Sequence, residues 1–173
     1  MINNLDIFNP EPYIQFGSGA IQRPVWDRLR DYAIEHEVRS VVEFGIGISS
    51  ILFSHIKSIE YIETWETDER WMKKIFPLLD HNRHQVIRYK YSDTEPFFTN
   101  PHNFCGADMG FVDGPSGGGG DGRGKAMLHC ACRCRVVFTH DSQRKGEAEA
   151  IRQIFDAWVL KVFNNALHLF ERP

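Results

Sequence analysis

Two glycines and two serines follow a short apolar run early in the chain, a combination typical of a ligand-binding turn. Residues 41–44 have the character of a buried strand, and Gly45, Gly47, Ser49 and Ser50 come soon after them. Glycine lets the backbone turn sharply and bring its amides against a ligand, and a serine hydroxyl caps the helix whose positive N-terminus follows. The pattern predicts a site for a nucleotide-type cofactor.

A carboxylate in a second predicted strand strengthens this interpretation. Residues 61–66 form that strand. Its last residue, Glu66, lies roughly twenty positions after the glycines, where a doubly wound fold places a ribose-binding carboxylate. We therefore expect Glu66 to take part in the same site.

Acidic side chains lie at or just past the ends of five successive predicted strands. They are Glu43, Glu66, Asp93, Asp113 and Asp141. Because ligands of open α/β sheets bind beyond the carboxyl ends of the strands, these carboxylates are expected at the ligand-binding edge. Several acceptors at one edge suit a ligand that carries hydroxyl, amino and adenine donor groups.

The elements that must position these side chains alternate between strand and helix patterns. Helices are predicted over 24–38, after Ser49, from Asp68 to Pro77 and over 146–158. Further strands are predicted over 86–89, 109–112, 136–139, 159–163 and 166–170, with Asn164 and Asn165 in a hairpin turn. The sequence therefore predicts an α/β fold with a doubly wound, mostly parallel seven-stranded sheet that ends in an antiparallel C-terminal hairpin.

Length and composition indicate a single domain over 1–173. Hydrophobic residues make up 42% of the 173 residues, which is enough for one core. Residues 1–23 are expected to form an N-terminal extension that either covers the acceptor side of the site or packs on the outside. Residues 114–124 are rich in glycine, which is typical of a surface linker or a mobile lid. Their position after a predicted strand end favours the lid.

Overall charge and the N-terminal sequence narrow the range of partners. A formal net charge of −3 gives no general attraction to nucleic acid and favours a small or neutral partner. The first residues lack the basic and apolar regions of a secretion signal, and no apolar run approaches the length of a membrane span. The sequence therefore predicts a soluble, cytoplasmic protein with no nucleic-acid or membrane partner.

The cysteines and a phenylalanine-rich loop bear on metal binding and on oligomeric state. Cysteines stand at positions 105, 130, 132 and 134, whereas strong zinc signatures combine two matching pairs. We therefore expect reduced, mostly buried thiols. Phe97, Phe98 and Phe104 are interpreted either as core anchors or as the surface of a homodimer.

The arrangement from Val41 to the terminal hairpin resembles the class I S-adenosylmethionine-dependent methyltransferases. In that family the first strand ends in an acidic residue and a glycine-rich turn. Glu43, Gly45 and Gly47 match this pattern, and Ser49 stands in place of the third glycine. The resemblance implies that S-adenosylmethionine is the cofactor, that these residues bind it, and that the protein transfers a methyl group.

The same resemblance implies roles for residues farther along the chain. Glu66 is expected to hold the ribose hydroxyls, and Ser92 and Asp93 are expected to contact the adenine ring. Asp113 would face both the methionine end of the cofactor and the acceptor.

A narrower likeness is to bacterial methyltransferases with an unassigned or glycan-related acceptor. Those proteins combine a Val-Asp-Gly-Pro strand end, a glycine loop, an arginine and a later acidic and arginine pair. The matching parts here are residues 112–115, Arg123 and residues 140–144. No Asn-Pro-Pro-Tyr sequence follows the fourth predicted strand, which argues against the amino-directed DNA and glutamine methyltransferases. We therefore expect a small-molecule or glycan acceptor that is methylated on a hydroxyl oxygen.

A hydroxyl acceptor requires a base that takes its proton, and Asp113, His140 and Asp141 are the candidate catalytic residues. An imidazole has an ordinary pKa in the useful range. The same histidine would also suit a purely structural hydrogen bond between strand and loop. A further variant places a divalent cation between Asp113 and Asp141, as in catechol-type methyltransferases. The sequence lacks a clear third ligand, so no metal is predicted.

Two other functions fit parts of the pattern. An NAD-dependent oxidoreductase would use the same strand, glycine turn and distal acid, but its fingerprint needs a glycine at position 50, where this chain has Ser50. The other alternative is a non-catalytic module that binds the cofactor through the same fold. Tight cofactor binding without turnover would distinguish that module from an enzyme.

Overall fold

The computed structural model describes residues 21–89, 106–114, 122–142, 144–162 and 167–172. Its strands are β1 (Ser40–Phe44), β2 (Tyr61–Glu66), β3 (His84–Arg88), β4 (Ala107–Val112), β5 (Cys134–His140), β6 (Val159–Val162) and β7 (Leu167–Glu171). Its helices are α1 (Arg23–Glu35), α2 (Ile48–Phe53), α3 (Glu69–Ile75), α4 (Gly122–Arg133) and α5 (Lys145–Ile154), and a short 3₁₀ turn spans Phe76–Leu78.

The strands form one seven-stranded sheet in the order β3-β2-β1-β4-β5-β7-β6. The first five strands in this order run parallel to one another, while β7 is antiparallel to both β5 and β6. The predicted α/β fold with its C-terminal antiparallel hairpin is therefore confirmed. The chain leaves β1 toward β2 on one side and returns on the other side as β4, which creates the switch point where such sheets bind ligands.

Strand register brings the carboxyl ends of the central strands to one edge. Phe44 at the end of β1 lies beside Trp65 of β2 and Val112 of β4, and Val112 lies beside Thr139 of β5. The residues that follow these positions are therefore neighbours at that edge, as the sequence predicted.

Helices cover both faces of the sheet because the central strands are apolar on both sides. All five residues of β1 are buried. Helix α1 places Val25, Trp26, Leu29 and Ala33 against one face, together with residues of α2. Helices α4 and α5 cover the opposite face. A parallel strand buried on two faces explains the nearly continuous apolar runs in the sequence.

The structure describes only the ends of the two segments expected to lie outside the regular fold. Helix α1 begins at Arg23, and Ile21 is already buried in the core. The last residues of the extension predicted over 1–23 therefore belong to the packed fold. Helix α4 begins at Gly122, so the predicted loop over 114–124 ends before its last three residues. The start of α4 packs closely against α5, which favours a helix here despite the glycines. A Cβ placed on Gly124 would lie 3.3 Å from the Cβ of Ala150 in α5. Residues 115–121 lie outside the described residues.

The cysteines and the aromatic loop are only partly within the described residues. Cys130 and Cys134 are buried free thiols and Cys132 is an exposed one. Cys105 and the loop that carries Phe97, Phe98 and Phe104, on which the homodimer interpretation rests, lie outside the described residues. In the part of the chain that the structure describes, no helix has the length and apolar character needed to cross a membrane.

Candidate active site

The turn after β1 is held by a close contact between two glycines. Gly45 has a φ of +100°, and its N–H donates to the Trp65 carbonyl at 2.9 Å. The N–H of Gly114, which follows β4, donates to the Phe44 carbonyl at 2.6 Å. A Cβ placed on Gly114 would lie 2.5 Å from the Cα of Gly45, so only glycine fits there. Gly45 therefore serves contact with the next loop as well as the turn itself.

The second glycine of the turn faces open space. Gly47 has an extended backbone, and a Cβ placed on it would come no closer than 4.0 Å to its nearest neighbour, the Ser49 Oγ. The backbone on this side of the turn is thus accessible to a ligand that approaches it closely.

Glu66 at the end of β2 connects that strand to the glycine turn. Its Oε2 accepts the Ile46 N–H at 2.9 Å, and its Oε1 accepts the N–H groups of Thr67 at 2.5 Å and Asp68 at 2.7 Å. Oε2 therefore has capacity for a further donor, since each carboxylate oxygen accepts about two hydrogen bonds. Asp68, from which the sequence predicts this helix, caps α3, because its carboxylate accepts the Arg70 N–H at 2.8 Å.

Glu43 and Ser49 lie directly beneath the turn, in contact with each other. The fully buried carboxylate of Glu43 accepts hydroxyl groups from Ser49 at 2.5 Å, Ser50 at 2.5 Å and Thr64 at 2.8 Å. Burial raises the pKa of Glu43 to about 7, although the three hydroxyl donors lower it. Gly47 occupies the cap position of α2, and the Ser50 Oγ accepts the Gly47 N–H at 3.0 Å. Glu43 and Ser49, both predicted to bind the cofactor, therefore make their described contacts with other residues of the protein.

His140 and Asp113 form a pair at the ends of β5 and β4. The His140 Nδ1 lies 2.8 Å from the Asp113 Oδ1. Burial opposes the charged imidazolium, but the hydrogen bond and negative charge of Asp113, together with Asp141, outweigh it and raise the pKa of His140. The side chains of His140 and Asp113 are 16% and 19% exposed, so the pair is reachable from solvent.

Arg123 of α4 fixes the geometry of this pair, a role that the sequence left open. Its guanidinium donates to the carbonyls of His140 at 3.0 Å and Asp113 at 2.6 Å, and it lies 3.4 Å from the Asp141 carboxylate. Its side chain is 5% exposed. The arginine stands among glycines in the sequence, where a solvated charge is the usual interpretation, so no local signal reveals its burial.

Asp141 adopts a left-handed backbone with a φ of +56°, which is uncommon for a residue other than glycine. Its carboxylate also pairs with Arg144 at 2.6 Å. Ligand atoms of Asp113, His140 and Asp141 all lie within 4.8 Å of one another, so His140 supplies the third group that the sequence lacked for a cation. Arg123 and Arg144 already balance the charge of the two carboxylates.

The structure thus brings the predicted site residues together in two groups at one sheet edge. The first group contains Glu43, Gly45, Gly47, Ser49 and Glu66, and the second contains Asp113, His140 and Asp141. Ser92 and Asp93, predicted to contact adenine, lie outside the described residues and remain predictions. Sequence reasoning missed the packing role of Gly114 and the contacts of Thr64 and His84 beneath the turn.

Solved structures that superpose on this chain include methyltransferases. A provisionally named caffeoyl-CoA O-methyltransferase from Staphylococcus aureus is 16% identical and superposes with a TM-score of 0.71, over 98% of this chain and 93% of its own. The O-methyltransferase TomG from Streptomyces achromogenes, involved in tomaymycin synthesis and solved with S-adenosylmethionine, is 14% identical, with a TM-score of 0.67 over 95% and 86% of the two chains.

An O-methyltransferase from Bacillus cereus, solved with S-adenosylhomocysteine, is 13% identical and has a TM-score of 0.66 over 96% of this chain and 89% of its own. No protein-family model and no curated protein matches the sequence. Identities this low establish the fold alone, and the resemblance predicted from the sequence is confirmed at that level. The chain has the Rossmann-like fold of the class I S-adenosylmethionine-dependent methyltransferases.

Proposed function

We propose that the protein transfers a methyl group from S-adenosylmethionine to a hydroxyl oxygen of a small-molecule or glycan acceptor. The observation that carries this proposal is the His140–Asp113 pair, held 2.8 Å apart at the same sheet edge as the glycine turn. A cofactor turn and a solvent-accessible base at one edge are what methylation of a hydroxyl requires. The shared fold supports the same conclusion.

The cofactor would lie over the glycine turn and beside Glu66. The open space at Gly47 suits close approach of a ligand to the backbone, and the free capacity of the Glu66 Oε2 suits a ribose hydroxyl. Glu43 and Ser49 would support the turn from below, Ser92 and Asp93 are expected at the adenine ring, and Asp113 is expected near the methionine end. S-adenosylmethionine supplies a sulfonium-bound methyl group, which is an activated electrophile.

His140 is the proposed base for the acceptor hydroxyl. Asp113 accepts a hydrogen bond from the Nδ1–H, which leaves Nε2 as the atom that takes the proton. The carboxylate of Asp113 then stabilises the imidazolium that forms. Asp141 contributes through its charge, and Arg123 holds both strand ends so that the acceptor oxygen meets a fixed Nε2.

The acceptor is expected to be small and uncharged or weakly charged. Arg123 and Arg144 are both paired with Asp141, so their charges already have partners within the protein. Recognition by hydrogen bonds to hydroxyl groups, as in a sugar or a polyhydroxylated metabolite, fits an edge lined by carboxylates and an imidazole.

The NAD-dependent alternative receives no support from the turn. Ser50 stands where the nicotinamide fingerprint needs glycine, and its hydroxyl is buried against Glu43 at 2.5 Å. A glycine there would leave one of the hydrogen bonds beneath the turn unmade.

A calorimetric titration with S-adenosylhomocysteine, run beside NADH, tests the proposed cofactor. We expect micromolar or tighter binding of S-adenosylhomocysteine alone. Release of S-adenosylhomocysteine from S-adenosylmethionine in the presence of hydroxylated sugars and small metabolites then identifies the acceptor. Binding of NADH instead would contradict the proposal, and S-adenosylhomocysteine binding without turnover on any acceptor would favour the non-catalytic module.

A further inference from the structure

A continuous series of buried polar contacts runs from β3 to the glycine turn. The His84 Nε2 lies 2.7 Å from the Thr64 Oγ1, and that hydroxyl lies 2.8 Å from the Glu43 Oε2. The same carboxylate oxygen accepts the Ser50 hydroxyl at 2.5 Å, and the Ser50 Oγ accepts the Gly47 N–H at 3.0 Å. His84, Thr64, Glu43 and Ser50 are all buried, so solvent does not replace any of these contacts.

Counting hydrogens fixes the direction of these bonds when Glu43 is ionised. Thr64 has a single hydroxyl hydrogen, and it donates this hydrogen to Glu43. The contact between Thr64 and His84 therefore needs a hydrogen on Nε2 of the imidazole. Nδ1 then carries no hydrogen and lies 3.4 Å from the Ser54 Oγ, whose own hydrogen is donated to the Ser50 carbonyl at 3.1 Å.

The same atoms accommodate one more proton without a broken contact. A proton that binds His84 at Nδ1 allows the Nε2 proton to pass to Thr64 and the Thr64 hydroxyl proton to pass to the Glu43 Oε2. His84 ends neutral, with Nδ1–H donating to Ser54, while Ser54 donates to the Ser50 carbonyl at 3.1 Å. Thr64 now donates to Nε2 and accepts from the Glu43 carboxyl. Ser50 keeps its contacts with Glu43 and Gly47 in both states.

The electrostatic surroundings place this exchange near neutral pH. Burial and, to a smaller extent, the charge of Asp113 at the end of β4 raise the pKa of Glu43 to about 7, against the lowering effect of its three hydroxyl partners. Burial lowers the pKa of His84 to about 4, with contributions in the same direction from His81 and Arg83 and an opposing one from Asp80. Burial thus disfavours the charged form of both groups, so a proton gained by the pair is expected on Glu43 and not on His84.

We propose that His84 and Thr64 are positioning residues that relay a proton to Glu43 and so keep the glycine turn in one geometry whether Glu43 is ionised or protonated. Neither residue touches the proposed cofactor, and both act through Ser50 and Gly47. The consequence for cofactor affinity rests on the proposed function, whereas the consequence for the turn itself does not.

Two kinds of measurement test the relay across about pH 6 to about pH 8, the range in which Glu43 titrates. The first is the protection factor of the Gly47 amide in hydrogen exchange on the free protein. The second is the dissociation constant of S-adenosylhomocysteine. The variants are His84→Leu, which removes both ring nitrogens, Thr64→Val, which removes the hydroxyl, and His84→Gln, whose amide offers a donor or an acceptor at a similar reach. His55→Leu, at an exposed histidine outside this series of contacts, is the matched control.

We expect wild-type protein and the His55→Leu control to change by less than about twofold over this range in either measurement. At the acidic end, His84→Leu and Thr64→Val should lose about tenfold in Gly47 protection and in affinity. Without the relay a protonated Glu43 has no acceptor at Thr64, so its hydroxyl donates to the Ser50 Oγ and competes there with the Gly47 N–H. His84→Gln should recover most of the loss, which a merely space-filling role for His84 would not produce.

Equal Gly47 protection in wild type, His84→Leu and Thr64→Val at both ends of the range would overturn the relay. A wild-type protein that fails to bind S-adenosylhomocysteine would contradict the proposed function instead, and Gly47 protection would still decide on the relay. If His84→Leu does not fold, Thr64→Val, which changes little in volume, decides alone.

Discussion

The Nδ1 atom of His140 lies 2.8 Å from the Oδ1 atom of Asp113, and the two residues come from the ends of adjacent parallel strands. This contact orients the imidazole so that Nε2 is the nitrogen left for an acceptor. It also joins two residues that are 27 positions apart in the sequence.

Replacing His140 by alanine should abolish most of the turnover and spare the cofactor. We expect His140→Ala to lower kcat by at least about 100-fold, the usual contribution of a general base. The dissociation constant of S-adenosylhomocysteine should stay within about twofold of wild type, because the glycine turn and Glu66 lie on other strands. Single-turnover rates and calorimetry on the same sample measure the two effects. Unchanged kcat would leave His140 with a structural role only.

The pKa of His140 should fall when Asp113 is neutralised. In the wild-type protein it is raised, so the stabilising imidazolium–carboxylate pair is fully present below the ordinary histidine pKa and is lost as pH rises through the raised value. A base must be neutral to act, so kcat/KM should increase with pH through that raised pKa. Asp113→Asn should move both the histidine NMR titration and the rate profile to lower pH. A matched Asp141→Asn variant, at 3.9 Å from His140 in wild type, should move them less.

Glu66 provides a direct test of the cofactor assignment. Glu66→Ala removes the proposed ribose acceptor and the hydrogen bond to the Ile46 amide. We therefore expect the affinity for S-adenosylhomocysteine to fall by at least about tenfold. Asp68→Ala is the matched control, because it removes a neighbouring carboxylate that caps α3 and lies 29% exposed. Equal affinity in wild type and Glu66→Ala would remove Glu66 from the site.

The two loop glycines should respond to alanine in opposite ways. Gly114→Ala places a Cβ 2.5 Å from the Gly45 Cα, so we expect a loss of about 2 kcal/mol in the free energy of unfolding. Gly47→Ala places a Cβ 4.0 Å from the Ser49 Oγ, an ordinary contact distance, and should leave stability nearly unchanged while it weakens S-adenosylhomocysteine binding. Denaturant unfolding and calorimetry separate these effects. Equal destabilisation by both substitutions would contradict the proposed difference.

A buried ion pair outside the site should matter for stability alone. Arg133 at the end of α4 lies 2.5 Å from Glu63 of β2, and both side chains are buried. Arg133→Met leaves the carboxylate without its charged partner, which typically costs about 3 kcal/mol or more. Arg152→Met, which breaks an exposed pair with Glu149, should cost less than about 1 kcal/mol. Chemical denaturation of both variants gives the comparison.

The parts of the fold that follow from local signals could be predicted closely from the sequence. Strand β2 has its predicted bounds, and Asp68 caps the next helix, because both depend on residues within a few positions of one another. Helix α4 was not predicted, since it begins with Gly122 and Gly124, which are poor helix formers. Tertiary contacts compensate, through the buried Arg123 and the close approach of Gly124 to Ala150.

Side-chain direction explains the remaining differences at the candidate site. The sequence places Glu43 at the end of an apolar strand, but it does not reveal that the carboxylate turns inward to meet Ser49 and Ser50. Both faces of a central parallel strand are buried, so the order of apolar and polar residues along the strand does not indicate which side chains turn toward the ligand. His84 and Thr64 lie on separate strands, and only the parallel register of β2 and β3 brings their side chains together.

The pairing of β1 with β4 has a consequence for the order in which the parts of the protein fold during synthesis. This region joins distant segments, as shown by the hydrogen bond from the Arg39 amide to Asp108, 69 positions farther along the chain. Gly114 and Gly45 meet at the far end of the same pairing. During synthesis, β1 therefore stays unpaired on one side until β4 has emerged from the ribosome. Long-range pairings of this kind also slow folding. The sheet edge that carries the candidate site is thus among the last parts of the newly made chain to fold, and a chaperone would encounter it while it is still incomplete.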